Sequence, residues 1–222
     1  MGAGDGLDFG MRITGGEFRG RVLRVPRSQA VRPTQDMVRE SLFSMLGARV
    51  AGAKFLDLFA GTGVVGLEAC SRGASSVCWV ESSGAALRVL EENVRMLCDG
   101  RGSIVRGDVL RVLRNGLPGA PFDVIFADPP YEKKSGGTTD TTPKKRERGF
   151  QVSGVRGVDW GRILEVVEVG GQLKPGGWLV MEQGEEEPAV AREGWVMVRD
   201  RRYGGTRLRI LEWLEREAGE ST

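Results

Sequence analysis

Asp128-Pro129-Pro130-Tyr131 places a carboxylate, two prolines and an aromatic ring in a row. Proline has no backbone N–H and a fixed φ. Two in succession leave a stiff array of acceptors, the Asp128 carboxylate and the Pro129 carbonyl. Such an array suits an exocyclic amino group on a flat base. The acceptors hold its two N–H bonds, and Tyr131 stacks on the ring. As the nitrogen becomes tetrahedral, its lone pair leaves conjugation and points at an electrophile. Orientation and stabilisation of developing positive charge supply the rate. The structural alternative is a proline-rich strand exit with a buried tyrosine. Histidine is absent, which excludes histidine bases, Ser-His-Asp and Cys-His sites and His-ligated metals. No metal is expected.

A second motif lies upstream. Residues 55–59, FLDLF, run into Ala60-Gly61-Thr62-Gly63-Val64-Val65-Gly66. A strand, a glycine turn and a helix bring a ligand against backbone N–H groups and a helix N-terminus. Residues 61–66 fit GxGxxG, so a nicotinamide or flavin oxidoreductase is one reading. Asp57, four residues before the first glycine, would repel a pyrophosphate. It suits a ligand with a cationic amine or sulfonium, and S-adenosylmethionine has both. Glu81, at the end of the next apolar run, can reach a ribose diol in the same crevice. Asp108, after the third run, can accept the adenine amino group or cap the following helix. Asp57, Phe59, Gly61, Thr62, Gly63, Glu81 and Asp108 are therefore the candidate cofactor contacts. The alternative is a glycine turn that only packs helix on strand.

The charge is unevenly placed. Net charge is +2, and 26 of the 32 basic residues are arginine, the side chain suited to bidentate phosphate contact and base stacking. Residues 11–49 carry +5, residues 132–148 carry +3 and residues 199–209 carry +4. Brought together, these segments would make a nucleic-acid face around the crevice mouth; apart, they are three solvated surfaces. Candidate RNA contacts are Arg12, Arg19, Arg32, Arg39, Lys144, Lys145, Arg146, Tyr203 and Arg207. The turn within Arg199–Arg209 can fall at either end of a sheet.

The elements follow from pattern. Residues 11–25 alternate around Gly15-Gly16 and predict a hairpin ending at Pro26. Thr34 is the expected N-cap of a helix with a Val38, Leu42, Met45, Leu46 stripe and a stop at Gly47. From residue 54, apolar runs alternate with helices. Strands are predicted at Lys54–Phe59, Ser76–Glu81, Ser103–Arg106, Phe122–Ala127 and Gly177–Glu182. Helices are predicted near 64–72, 83–98, 108–115 and 159–173. This pattern predicts a parallel sheet covered on both faces. Trp195–Arg199 and Thr206–Trp213 are joined too tightly for a crossover helix and should pair antiparallel. Residues 132–158 are polar and basic and read as a surface loop.

Residues 1–10 read as a leader without a secretory signal, and residues 217–222 as a tail. Between them the expected units are residues 11–50, a hairpin and helix, and residues 51–216, a catalytic domain. No apolar stretch approaches a membrane span. Cys70, Cys78 and Cys98, an odd number without CxxC, read as reduced core residues of a cytoplasmic protein. Trp79 reads as core, and so do Trp195 and Trp213.

RPTQDMVRESLF (32–43), LDLFAGTG (56–63), DPPY (128–131) and RITGGEFRGRVLRVP (12–26) resemble the bacterial 16S ribosomal RNA guanine-N2 methyltransferases (RsmD-like) that modify a small-subunit loop guanine. The resemblance covers roughly residues 11–213. It implies a class I α/β fold, a seven-stranded, mostly parallel sheet with an antiparallel last strand and a small N-terminal extension. It implies that Gly61 and Gly63 approach S-adenosylmethionine, that Glu81 binds its ribose, and that Asp128, Pro129 and Tyr131 hold the guanine. The implied partner is 16S ribosomal RNA in an assembling small subunit bearing proteins; a monomer is expected. The 132–158 loop is longer and more basic than the family pattern. DPPY also serves adenine N6 or cytosine N4 in DNA or RNA, and RPTxDxVRExLF is the discriminating segment.

Overall fold

A computed structural model describes residues 11–25, 33–98, 100–130 and 159–215. Tyr131, Arg32, Lys144, Lys145 and Arg146 lie outside the described residues, as does the 132–158 segment.

The continuous apolar runs form β3 (Lys54–Leu58), β4 (Ser76–Glu81), β5 (Gly102–Arg106), β6 (Phe122–Ala127) and β7 (Leu173–Gly184). They pair in parallel in the order β5-β4-β3-β6-β7. Two further strands, β8 (Trp195–Tyr203) and β9 (Thr206–Trp213), complete a seven-stranded sheet, with β9 antiparallel to both β7 and β8. The order reverses between β3 and β6, the place where open α/β sheets form a crevice beyond the strand ends.

Parallel strands in the centre bury both faces, and the alternation shows which residue goes where. Phe55, Val77, Trp79, Val124, Phe126, Val180 and Ile210 form one face. They pack against α1 (Pro33–Leu46), α2 (Val64–Ser71) and α3 (Gly84–Leu97). Leu56, Leu58, Cys78, Val80, Ile125, Ala127, Leu179 and Met181 form the other, beneath α4 (Val109–Asn115) and α5 (Trp160–Val169). Trp79 and Trp195 are buried, and Trp213 packs against the second cluster.

The register of the antiparallel pair decides which end its turn occupies. Met181 is level with Ala127, the last residue of β6, while Gly184 is level with Thr206. The β8–β9 turn therefore lies at the crevice end, about 10 Å past β6 at ~3.3 Å per residue.

The N-terminal hairpin is built from β1 (Met11–Arg12) and β2 (Val22–Leu23), paired antiparallel. Glu68, fully buried in α2, accepts from Thr14 N (2.8 Å), Thr14 Oγ1 (2.8 Å) and Gly15 N (2.7 Å). Arg72 pairs with it at 2.8 Å and Arg39 at 3.4 Å. Gly15-Gly16 does more than turn the chain. A Cβ on Gly16 would sit 2.0 Å from the Ser71 carbonyl oxygen, and φ there is +77°. Only glycine allows that backbone approach.

Several expectations are corrected. Helix α1 begins at Pro33, so Thr34 lies inside it and is not the N-cap. Proline suits that first position because its missing N–H has no helical partner there. Cys70 and Cys98 are not reduced. They form a disulfide with Cα atoms 6.5 Å apart, joining the end of α2 to the C-cap of α3. Cys78 is a free, buried thiol. Strand β7 begins at Leu173, inside the range expected for a helix, because α5 stops at Val169 before Gly170-Gly171.

Candidate active site

The crevice is built at the ends of β3, β4, β6 and β7. After β3 the chain turns sharply. Phe59 takes φ 59°, a left-handed conformation that costs a residue with a side chain roughly 1–2 kcal/mol. Gly61 and Gly63 follow with φ 55° and 79°, and Gly63 becomes the N-cap of α2. The three glycines have different reasons. A Cβ on Gly66 would meet Trp79 Nε1 at 2.2 Å, and one on Gly63 would meet Leu90 Cδ1 at 2.2 Å. At Gly61 nothing lies within 4 Å. That position leaves open space against bare backbone, as a cofactor lying on the turn requires.

Glu81 is held by backbone. Its Oε2 accepts from Gly61 N at 2.8 Å, and its Oε1 accepts from Ser82 N and Ser83 N, each at 2.7 Å. Each carboxylate oxygen can take about two donors, so Oε2 keeps a site for a ribose hydroxyl in a fixed orientation. The residues present thus fit S-adenosylmethionine. Asp108 caps α4, accepting from Arg111 N at 3.0 Å. It stands next to Glu81, whose carbonyl accepts from Gly107 N.

Asp57 has a different setting from the one its spacing suggests. It is buried, and its Oδ2 accepts from Gly66 N at 2.9 Å, tying β3 to the first turn of α2. Burial holds its carboxyl well above the usual range; that bond opposes the shift, and the charges of Asp128 and Glu81 add to it. Thr62 is also buried, with Oγ1 3.8 Å from Met11 Sδ. Its side chain faces the hairpin, and its carbonyl accepts from Asn93 Nδ2 at 3.0 Å. Asn93 binds the N–H and carbonyl of Arg24 as well, at 2.9 and 3.0 Å. Asn93 joins the hairpin to the turn and Glu68 joins it to α2; neither is visible as a site residue in sequence.

Asp128 and Pro129 follow β6 directly. Burial pushes the Asp128 carboxyl up to about 7. The sequence reading also missed Glu182, one residue past Met181 on β7. Burial first, and the Asp128 charge second, push it up to about 8. Its only sequence signal is its place as the last residue of the predicted strand 177–182.

The proposed RNA contacts divide. Arg39 is 4% exposed, donates to the Arg12 carbonyl at 2.5 Å and pairs with Asp36 and Glu68. It holds the hairpin and is not available to RNA. Arg12 is exposed on β1 beside Met11 and Thr62, near the crevice. Arg19 is exposed at the far end of the hairpin, whose turn lies against Ser71 and beside Arg101 at the start of β5. That is the opposite end of the sheet, so the described residues 12–25 do not converge as a block on the crevice. Arg207 pairs with Asp200 at 2.6 Å, and Arg209 is buried against Gln183, Glu187 and Pro188. Both point to the α4–α5 face. Tyr203 packs against the other cluster, on the face that carries Asp128.

The seven-stranded sheet, its reversed last strand and a glycine turn facing an acidic strand end define the class I methyltransferase fold. The Escherichia coli protein yhhF, provisionally assigned as a methyltransferase, has the same fold: TM-score 0.72 and 28% identity, covering 93% of this chain and 99% of that one. The chain belongs to the family described as Conserved hypothetical protein 95, whose model matches residues 11–145. Ribosomal RNA small subunit methyltransferase D of Escherichia coli (strain K12) is 40% identical over 123 residues, 55% of this chain and 61% of that protein. The chain therefore spans about three fifths of the length of that relative. The protein of the same name from Haemophilus influenzae is 27% identical over 204 residues, 91% of this chain and 93% of that one.

Proposed function

We propose that this chain methylates the exocyclic N2 amine of a guanine in 16S ribosomal RNA, using S-adenosylmethionine. The substrate is an assembling small subunit carrying ribosomal proteins. One observation carries the reading: Asp128 and Pro129 end β6 beside the Gly61 turn that ends β3. A planar amine and a cofactor would meet there. Glu81 and the Gly61–Gly63 backbone bind the cofactor, which supplies an electrophilic methyl group. Asp128 and the Pro129 carbonyl hold the two amine hydrogens, and Tyr131 stacks on the base. Asp108 receives the adenine edge. Asp57 serves chiefly by fixing the turn. The small-subunit RNA follows from the names of the relatives. Among the described residues no helix is long and apolar enough to cross a membrane, and the protein acts in the cytoplasm as a monomer.

The test maps methylated nucleotides in ribosomal RNA from cells lacking this gene, with and without the protein restored. Purified protein is then offered small-subunit particles and naked RNA. One guanine that loses and regains its N2 methyl group supports the reading. Methylation of adenine N6 or cytosine N4 instead would replace it, and tight NADH binding without S-adenosylmethionine binding would end it.

A further inference from the structure

Strand register places four carboxyl groups on one face at the crevice. Asp57 is level with Trp79 and with Phe126, both on the α1–α3 face. Side chains alternate along each strand, so Glu81 and Asp128, each two residues further on, share that face. Phe126 is level with Val180, which puts Glu182 level with Asp128 on the neighbouring strand, ~4.8 Å away by strand spacing. Both side chains are partly buried. Two carboxyls so placed cannot both ionise readily, because each charge opposes the other where little water screens it.

Building on the proposed function, we propose that Glu182 is the proton-holding partner of Asp128 and that the two act as a pair on the target amine. Glu182 keeps the proton, so Asp128 is the anion that receives an amine hydrogen. In the transfer the nitrogen lone pair forms the new N–C bond as the C–S bond breaks, its electrons remaining on sulfur. The extra proton on nitrogen passes to Asp128. Glu182 then releases its own proton to water, and the pair again holds one.

The surroundings favour this division. Asp57 on β3, held protonated chiefly by burial, also feels the charges of Asp128 and Glu81. On β9 the residue opposite Glu182 is Leu208. Its neighbours Arg207 and Arg209 point to the other face and are tied to Asp200 and Gln183. Among the described residues, Arg199 and Arg201 on β8, level with Ile210 and Leu208, are exposed cations on this face, two strands from β7. On α1, Asp36 and Arg39 pair with each other, and Glu40 is exposed. The carboxyls ending near 7 and near 8 agree with one shared proton at neutral pH.

Two measurements on the full chain test the pair. Carboxyl 13C NMR titration needs no substrate. Wild type should show two steps, near 7 and near 8, and Glu182→Gln should show one. Asp128→Asn should move the Glu182 step downward, which tests the coupling without touching Glu182. Independent titrations below pH 5 overturn the pair. The second measurement is the pH profile of methyl transfer. Wild type should lose rate on both sides of a neutral optimum. Glu182→Gln, which mimics the protonated form but cannot release a proton, should be slower than wild type at pH 7, and its rate should not fall between pH 7 and pH 9. An alkaline limb unchanged in Glu182→Gln overturns the inference and leaves the proposed function standing. Absence of methyl transfer by wild type on any ribosomal RNA substrate overturns both.

Discussion

The residues at the crevice serve two purposes at once, which decides how substitutions will read. Glu81 is expected to hold the cofactor ribose, yet it also accepts three backbone bonds that shape the turn. Glu81→Ala should weaken S-adenosylmethionine binding about 10–150-fold by calorimetry and lower the melting temperature as well. Asp128 carries no such structural duty in the bonds described. Asp128→Ala should leave cofactor affinity near wild type while turnover falls below a tenth, a loss above ~1.4 kcal/mol. Protonation links this site to stability. Asp57, Asp128 and Glu182 all hold their protons more tightly folded than unfolded. The stabilisation from Asp128 and Glu182 is complete below pH ~4 and is lost as pH climbs through 7 to 8. Urea unfolding at pH 5.5 and 8.5 should show a smaller difference for Glu182→Gln than for wild type. Glu81 and Asp128 were legible because each ends an apolar run inside a motif. Glu182 was not, because its chemistry arises from strand register, and nothing beside it in sequence marks it. Asp57 was legible as a site residue but not as a buried one, since depth below the strand end is set by the twist and covering of the sheet.

At the scale of elements, apolar runs and glycine turns give the parallel strands, and the short 200–205 connection gives the antiparallel pair. The ends are harder to read. Strand β7 overruns the predicted Gly177–Glu182 at both ends: Leu173 pairs with Phe122 of β6 at its start, and Gln183 and Gly184 pair with Arg207 and Thr206 of β9 at its end. The hairpin was foreseen as a turn, but its docking rests on Glu68, an acid in an apolar helix whose partners are 53 and 54 residues away. Glu68→Ala would leave buried Arg39 with Asp36 as its remaining carboxylate and would take the acceptor from Thr14 and Gly15. The expected cost is about 3–5 kcal/mol, read as a lower urea midpoint. Glu68→Asp, which keeps the charge, should cost less.

For the whole molecule, charge counted along the chain is a poor guide to charge presented to a ligand. Of the five arginines in 199–209, Arg209 is buried, Arg207 is paired with Asp200 and Arg202 is paired with Glu185, leaving Arg199 and Arg201 as exposed side chains on the Asp128 face. RNA affinity should fall with salt. Arg201→Ala should flatten the log–log slope by about 0.7 if it meets one single-strand phosphate. Replacing Lys144, Lys145, Arg146 and Arg148 together should flatten it by roughly two to three units. Arg39→Ala should lower stability and leave the slope unchanged. Filter binding over a salt series separates these outcomes. The docking of the hairpin has a further consequence, in the order of events during synthesis. Asn93, which pins Arg24, is made 69 residues after it. At ~5–20 residues per second the wait is about 3–14 s. Until then Met11, Ile13, Leu23 and Val25 have no finished surface to cover them, since α3, which completes their cluster, does not yet exist. The first described segment to be translated thus cannot settle until α3 is made, and proteases acting on the growing chain should cut it before they cut β3.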